Sequence, residues 1–264
     1  MELRVLAVGD VCGAGGLEYL KCRLRPLRRQ HRIDFCVVNG ENAAVVGLTP
    51  RQAQQIYDAG ADVVTLGNHT FNRREIVPAL EDEAWLLRPA NDSPLFPGRG
   101  LGVYETRFGD VAVLNLIGRC GMDFRPDNPF LAVDRLLKPL GTRLILVDFH
   151  AEATSEKLAM GYYLDGKVSA LWGTHTHVPT ADDMVLPHGT GYVTDLGMTG
   201  PRWSVLGIRP EQSITQFRGG MNTRFESADG PCKLEGVIFT IDAQTGRCTG
   251  TERVIDYDTA AARR

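Results

Sequence analysis

Long hydrophobic runs are missing from this sequence of 264 residues. None approaches the ~20 apolar residues that a membrane helix needs. The opening MELRVLAVGD meets Asp10 straight after one short apolar stretch, so it does not read as a signal peptide. A cytoplasmic protein with no membrane partner is the expectation, and its six cysteines, at 12, 22, 36, 120, 232 and 248, should be reduced thiols. Their scatter contains no CxxC pair, which argues against a structural zinc knuckle and leaves most of them as small buried apolar residues. Strong charge of either sign is also missing. A net charge of -3 gives no overall attraction to nucleic acid or a membrane surface, and leaves nucleic acid as a partner undecided. The usual signatures of nucleotide and acyl chemistry are absent as well. GDVCGAGG lacks the GK[ST] ending of a P-loop and the GxGxxG spacing of a dinucleotide site, and no GxSxG elbow occurs.

What is present is alternation. LRVLAVGD, DFCVVNGEN, ADVVTLGNH, VAVLNLIG, RLILVDFH and VSALWGTH are short, rich in Val, Ile and Leu, and bounded by Gly, Asn or Asp, as strands buried on both faces should be. Between them lie helical patterns. Leu17, Leu20, Leu24 and Leu27 recur at helical spacing, Thr49, Pro50 and Gly60 bracket a second helix, and TSEKLAMGYYLDG forms another. Strand and helix in turn predict an α/β fold with a largely parallel sheet. The last third, with ADDMVLPHGTGYVTDLG and KLEGVIFTIDAQTGRCTGTERVIDY, reads as antiparallel hairpins. Nothing splits the chain, so 1–264 is expected to form a single domain. An insertion at about 201–230 would supply a short helix in a mobile flap or an oligomer contact.

The strands end in chemistry. Asp10 follows the first, Glu41 and Asn42 the second, Asn68 and His69 the third, His150 a later one, and His175 and His177 the last. Ligands bind at the carboxyl ends of strands in open α/β sheets, so these side chains should converge on one crevice. In extended chain His175 and His177 would point to the same side. The mixed oxygen and nitrogen set suits borderline divalent metals, and seven candidate ligands are too many for one tetrahedral ion. Two ions are the usual device for in-line displacement at phosphorus. The alternatives at single positions are bland. Asp10 can cap a helix, GNH is common turn chemistry, and Cys12 beside Asp10 is a nucleophile only with a histidine partner. His31 reads as a surface residue and His188 as a turn residue. An amidohydrolase also uses HxH, but at its first strand.

In order along the chain, GDVC, NGEN, GNHT, DFH and GTHTH resemble the signature of the calcineurin-like metallophosphoesterase superfamily. Cys12 stands where that signature has a ligand histidine, Glu41 where it has Asp, and Thr70 where an acid is usual. With NGENAA, GNHTF, DFHAEATSEK, THTHVPTAD and TDLGMTGP, those departures resemble the YmdB-like bacterial branch over nearly the whole chain. The resemblance implies a four-layer αββα sandwich with a dimetal site of iron or manganese. It implies that Asp10, His177 and Asn42 bind one ion, that Asn68, His150 and His175 bind the other, and that Glu41 bridges them. His69, directed away from the metals in extended chain, would contact a phosphoryl oxygen or protonate the leaving alkoxide. The function implied is a phosphodiesterase acting by in-line attack of a metal-activated hydroxide on small phosphodiesters, 2′,3′-cyclic nucleotides above all.

Two rivals stand beside it. One is a phosphomonoesterase of the same fold, a nucleotidase or protein phosphatase, for which Arg202, Arg209, Arg218 and Arg224 would clamp a terminal phosphate. The other is a non-catalytic, metal-dependent nucleotide-binding regulator. The resemblance implies a homo-oligomer, with Trp203 and Phe217 of the insertion as residues that would join its interface. The basic helix with Arg23, Arg25, Arg28 and Arg29 faces solvent by default, with RNA or a subunit as the alternatives.

Overall fold

Two β-sheets lie face to face in the computed structural model, which describes residues 1–122, 126–221 and 224–259. The first has the order β2 (Asp10–Val11), β12 (Met198–Pro201), β13 (Cys232–Asp242), β1 (Glu2–Val8), β3 (Phe35–Asn39), β4 (Val63–Thr65) and β5 (Leu86–Leu87), with β14 (Cys248–Tyr257) also paired to β13. The second runs β10 (Met184–Val185), β11 (Gly191–Val193), β9 (Ala170–Thr174), β8 (Leu144–His150), β7 (Gly109–Ile117) and β6 (Leu101–Thr106). Strands β1, β3, β4 and β5 are parallel neighbours, as are β7, β8, β9 and β11. The expected hairpins of the last third are β10–β11 and β13–β14, both antiparallel.

Period-two alternation divides each strand between two cores. Leu3, Val5 and Ala7 of β1 face the other sheet, where they meet Val111, Val113, Leu146 and Trp172. Leu6 and Val8 face outward onto α1 (Gly13–Gln30) and α2 (Pro50–Ala59), through Leu17, Leu20, Leu24, Leu27 and Ile56. On the far side Val147, Phe149 and Leu171 pack against Val133 of α4 (Pro129–Leu137) and Met160 and Leu164 of α5 (Thr154–Leu164). Helix, sheet, sheet, helix are the four layers expected. Helices α3 (Val77–Asp82) and α6 (Pro210–Phe217) are the remaining α-helices among the described residues, with one 3-10 turn at Arg74–Ile76.

Local signals explain the ends. Thr49 and Gln52 form a reciprocal capping box, Pro50 opens α2, and Gly60 closes it at φ 116°, in the left-handed region where a Cβ is penalised. Gly13, Gly15 and Gly16 of GDVCGAGG turn out to lie in the first turn of α1, capped by Cys12 without any side-chain bond, so Asp10 is no helix cap. Gly16 is needed because a Cβ there would overlap the Thr199 carbonyl of β12. Four of the six cysteines are buried. His188 is exposed in a turn as expected, and bonds Asp165 at 2.9 Å. His31 is only partly exposed, since it lies 3.4 Å from Glu252 and its carbonyl accepts from Arg4.

Candidate metal centre and active site

The strand order brings the ends of β1, β3 and β4 opposite those of β8 and β9, and all the strand-end residues gather there. His150 is the last residue of β8 and wholly buried. Its Nε2 lies 2.9 Å from Glu41 Oε1, 2.9 Å from Asn68 Oδ1 and 3.1 Å from His175 Nδ1. Glu41, His150 and His175 each offer a ligand atom within 4.8 Å of the others. Across the cluster His177 Nε2 lies 3.0 Å from Asn42 Nδ2 and 3.8 Å from Asp10 Oδ1. The backbone N–H of His175 donates to Asp10 Oδ2 at 3.2 Å, and that of His69 to Glu41 Oε2 at 3.1 Å.

Hydrogen-bond direction reveals what the cluster wants. The Thr174 hydroxyl donates its one proton to Asp148 Oδ1 at 2.7 Å, so its oxygen accepts from His150 Nδ1 at 2.9 Å. Asp148 is buried and also accepts from Thr65 Oγ1 at 2.5 Å and Asn39 Nδ2 at 3.3 Å. With Nδ1 committed as a donor, His150 turns Nε2 toward two atoms that only accept, a carboxylate and an amide carbonyl, and toward a third ligand atom, His175 Nδ1. Only a proton on Nε2 or a cation among them can hold these groups together. Asp10 Oδ1 is a second such signal, because it is buried with no hydrogen-bond partner. The donor set therefore fits divalent ions of the borderline class. Asn42 fits less simply: it turns Nδ2 toward His177, and its amide must flip to present Oδ1 as a ligand.

Electrostatics follow from the same burial. Desolvation raises the Asp10 carboxyl, His177 and His150 pull it back, and it settles at about 6. Desolvation also opposes charge on Glu41, but His150, by charge and hydrogen bond, together with His69 outweighs it and holds that carboxyl at about 2. Burial and the charge of His150 push His175 down to about 3, leaving a neutral imidazole able to ligate. Burial pushes the Cys12 thiol up, which removes it as a nucleophile at neutral pH. Cys12 instead packs against Gly200 and Gly207, with Sγ 3.5 Å from His177 Nδ1.

The geometric reasons offered by sequence need correction even where the residues gather. His175 and His177 are not in extended chain: β9 stops at Thr174, and both histidines have positive φ, 99° and 62°. Their turn is pinned from beneath by Asp195, whose Oδ2 accepts from the Thr176 N–H at 3.2 Å and from the buried Lys157 at 2.7 Å. His69 likewise lies in a turn, and its Nε2 is 3.3 Å from Asn68 Nδ2. Sequence reasoning missed Asp148, Thr174, Lys157 and Asp195. The acid inside the apolar run RLILVDFH, two residues before His150 and so on its face of the strand, was the available signal for Asp148.

A cavity of about 310 Å³ opens over the cluster, lined by Asn42, Val45, Val46, His69, Glu152, His175, Thr176, His177, Leu206, Ile208 and Phe225. The 201–230 segment supplies its last three walls, and the Leu206 carbonyl accepts from His177 Nδ1 at 3.0 Å. None of the four candidate clamp arginines lines it. Arg209 pairs with Glu226 and Asp229, and Arg202 lies over Trp203 and Tyr257. On α1, Arg23 pairs with Asp256, Arg28 with Asp62, and Arg25 donates to the Asp58 carbonyl at 2.7 Å, so three of the four arginines of the basic helix face are spent within the fold.

Comparison with known proteins identifies the family. The sequence model described as YmdB-like protein matches residues 6–254. The chain belongs to the YmdB-like family. A Bacillus subtilis member named 2′,3′-cyclic-nucleotide 2′-phosphodiesterase is 43% identical over 261 residues, 97% of this chain and 98% of the relative. A crystal structure from Thermus thermophilus, described as a hypothetical protein, superposes with a TM-score of 0.92 at 39% identity, covering 97% of this chain and all of that one. A Mycoplasma pneumoniae structure described as a novel phosphatase also gives 0.92, at 34% identity, covering all of this chain and 97% of that one. The fold also matches that of a Staphylococcus aureus structure described as a putative 5′-nucleotidase, with a TM-score of 0.63 at 14% identity, covering all of this chain and 57% of that one. Among the described residues no helix is long and apolar enough to cross a membrane.

Proposed function

We propose that this YmdB-like chain is a metal-dependent phosphodiesterase that hydrolyses small phosphodiesters, 2′,3′-cyclic nucleotides foremost. The observation that carries the reading is the convergence of Glu41 Oε1, Asn68 Oδ1 and His175 Nδ1 on His150 Nε2, beside the unpartnered Asp10 Oδ1. Seven ligand candidates around this point suit two ions, with iron or manganese the metals to test. Asp10, His177 and Asn42 would hold one, Asn68, His150 and His175 the other, and Glu41 both. Bound there, the ions would make water acidic enough to act as a nucleophile near neutral pH and neutralise charge gathering on the phosphoryl oxygens.

The protein's own groups do the rest. Asp148, through Thr174, fixes the His150 ring, and Asp195 fixes the turn carrying His175 and His177. His69 lines the cavity, and in its neutral form it accepts from the Asn68 amide at Nε2 and keeps Nδ1–H for a hydrogen bond to a phosphoryl oxygen, while protonating the departing alkoxide would require its imidazolium form. Such a positioned acid contributes ~10²–10⁴-fold. Among the described residues no Arg or Lys lines the cavity, and Glu152 stands at its edge, 3.1 Å from His175 Nε2. A singly charged diester suits that wall better than the dianion of a monoester. A homo-oligomer draws support from Trp203, Ile214 and Phe217, exposed on and beside α6.

Hydrolysis of 2′,3′-cAMP, 3′,5′-cAMP and adenosine 3′-monophosphate with added Mn²⁺ or Fe²⁺ tests the reading. The cyclic 2′,3′ diester should be cleaved fastest and the monoester slowest. A preference for the monoester, or tight nucleotide binding with no product, would replace it with the monoesterase or the regulator. Thr174→Val strips His150 Nδ1 of its acceptor and is expected to weaken Mn²⁺ binding ~10–100-fold in a calorimetric titration, whereas Thr174→Ser should bind like the parent.

A further inference from the structure

Among the described residues five non-glycine positions have positive φ, and four of them line the cavity: Val45 (69°), His175 (99°), His177 (62°) and Leu206 (54°). For the histidines this conformation turns two imidazoles into the cluster. Val45 and Leu206 have no polar side chain to aim, and a β-branched residue in the left-handed region is a genuine outlier. Backbone held against preference concentrates where function requires a particular side chain in a particular place. The supports are visible. The Val45 N–H donates to the Asn42 carbonyl at 2.9 Å, and Leu206 is the tip of a turn closed by Val205 and Ile208, which exchange hydrogen bonds of 2.9 and 3.0 Å.

The cavity wall is two-sided. Asn42, His69, Glu152, His175, Thr176 and His177 form a polar arc, and Val45, Val46, Leu206, Ile208 and Phe225 an apolar one. The apolar arc is not buried against protein: Leu206 is 46% exposed, Phe225 38% and Val46 36%. A phosphate alone would fill the polar arc and leave the other wet. About 310 Å³ is the size of a small-ligand pocket, with room for an organic group beside the phosphate.

We propose that Val45, Leu206 and Phe225 form a clamp for the nucleobase of the substrate. This rests on the phosphodiester reading and adds to it the class of base carried by the substrate's ribose. The apolar arc carries no hydrogen-bonding side chain, so the base is held by its faces and its area. Adenine and guanine should therefore be accepted alike and purines preferred to pyrimidines.

Val45→Gly is the informative variant, because glycine accepts φ 69° freely and the change relieves backbone strain while removing the side chain. Its Tm should equal or exceed that of the parent. Its selectivity, kcat/KM for 2′,3′-cAMP divided by kcat/KM for base-less ribose 2′,3′-cyclic phosphate, should fall about tenfold through KM, and Phe225→Ala should act in the same direction. An unchanged ratio overturns the clamp and leaves the phosphodiesterase reading standing. Adenosine binding to the full chain in EDTA separates the two ideas. Tighter binding of adenosine than of ribose, weakened by Val45→Gly, supports the clamp whatever the activity, and equal binding of adenosine and ribose by the parent overturns it.

Discussion

His150→Ala is expected to lower kcat/KM for 2′,3′-cAMP by at least ~10³-fold and to leave the purified protein short of metal. Removal of one preorganised donor from a reacting centre typically costs ~10²–10³ in rate, and His150 does more than donate. Its Nε2 is the point on which Glu41, Asn68 and His175 converge, so deletion disperses the cluster as well as removing a ligand. The residue is fully buried and ties β8 to β9 through Thr174, which means the fold must be checked by circular dichroism before the kinetics are read. Elemental analysis beside the kinetics decides the cause. A folded variant with the parent's metal content and the parent's rate would remove His150 from the centre, and with it the placement of the ions.

The site was more legible in the sequence than the geometry that builds it. Asp10, Glu41, Asn68, His150 and His175 could be placed together because each follows an apolar strand, and strand ends on parallel sheets share one edge of the fold. The reason given for the HxH pair was wrong nonetheless. Period-two alternation holds only while the chain stays extended, and β9 ends one residue before His175. The left-handed turn that follows is set by Asp195 and Lys157, residues whose pairing depends on packing across 38 positions of sequence. α2 was readable to its last residue because its caps are local bonds. α1 began earlier than its leucines suggested, because the fit of Gly16 under β12 is a tertiary fact. The role of the 201–230 segment was open for the same reason. Charge drew attention to its arginines, yet Leu206, Ile208 and Phe225 are the residues that reach the cavity.

Gly67→Ala should be nearly as damaging as loss of a ligand, although residue 67 donates no atom to the cluster. A Cβ built there would overlap both His150 Nε2 and Glu41 Oε2, so a single methyl group would stand among the atoms that face the proposed ions. The neighbours cannot yield cheaply. His150 is held at Nδ1 by Thr174 and Asp148, Glu41 is fully buried, and the next residue's carbonyl group, Asn68 Oδ1, is already 2.9 Å from the same imidazole nitrogen. Either Glu41 and His150 move apart or the turn carrying Asn68 and His69 backs away, and each alternative separates ligands that must share ions. The expected result is a fall in Mn²⁺ affinity of more than ~10-fold, the lower end of what displaced supporting groups cause, and a fall in kcat/KM of ~10² or more. Overpacking of this kind typically destabilises by ~1–3 kcal/mol, so a folded protein remains to be measured. Full metal affinity and full activity in Gly67→Ala would mean that His150 and Glu41 do not need to approach each other, and the centre proposed here depends on that approach.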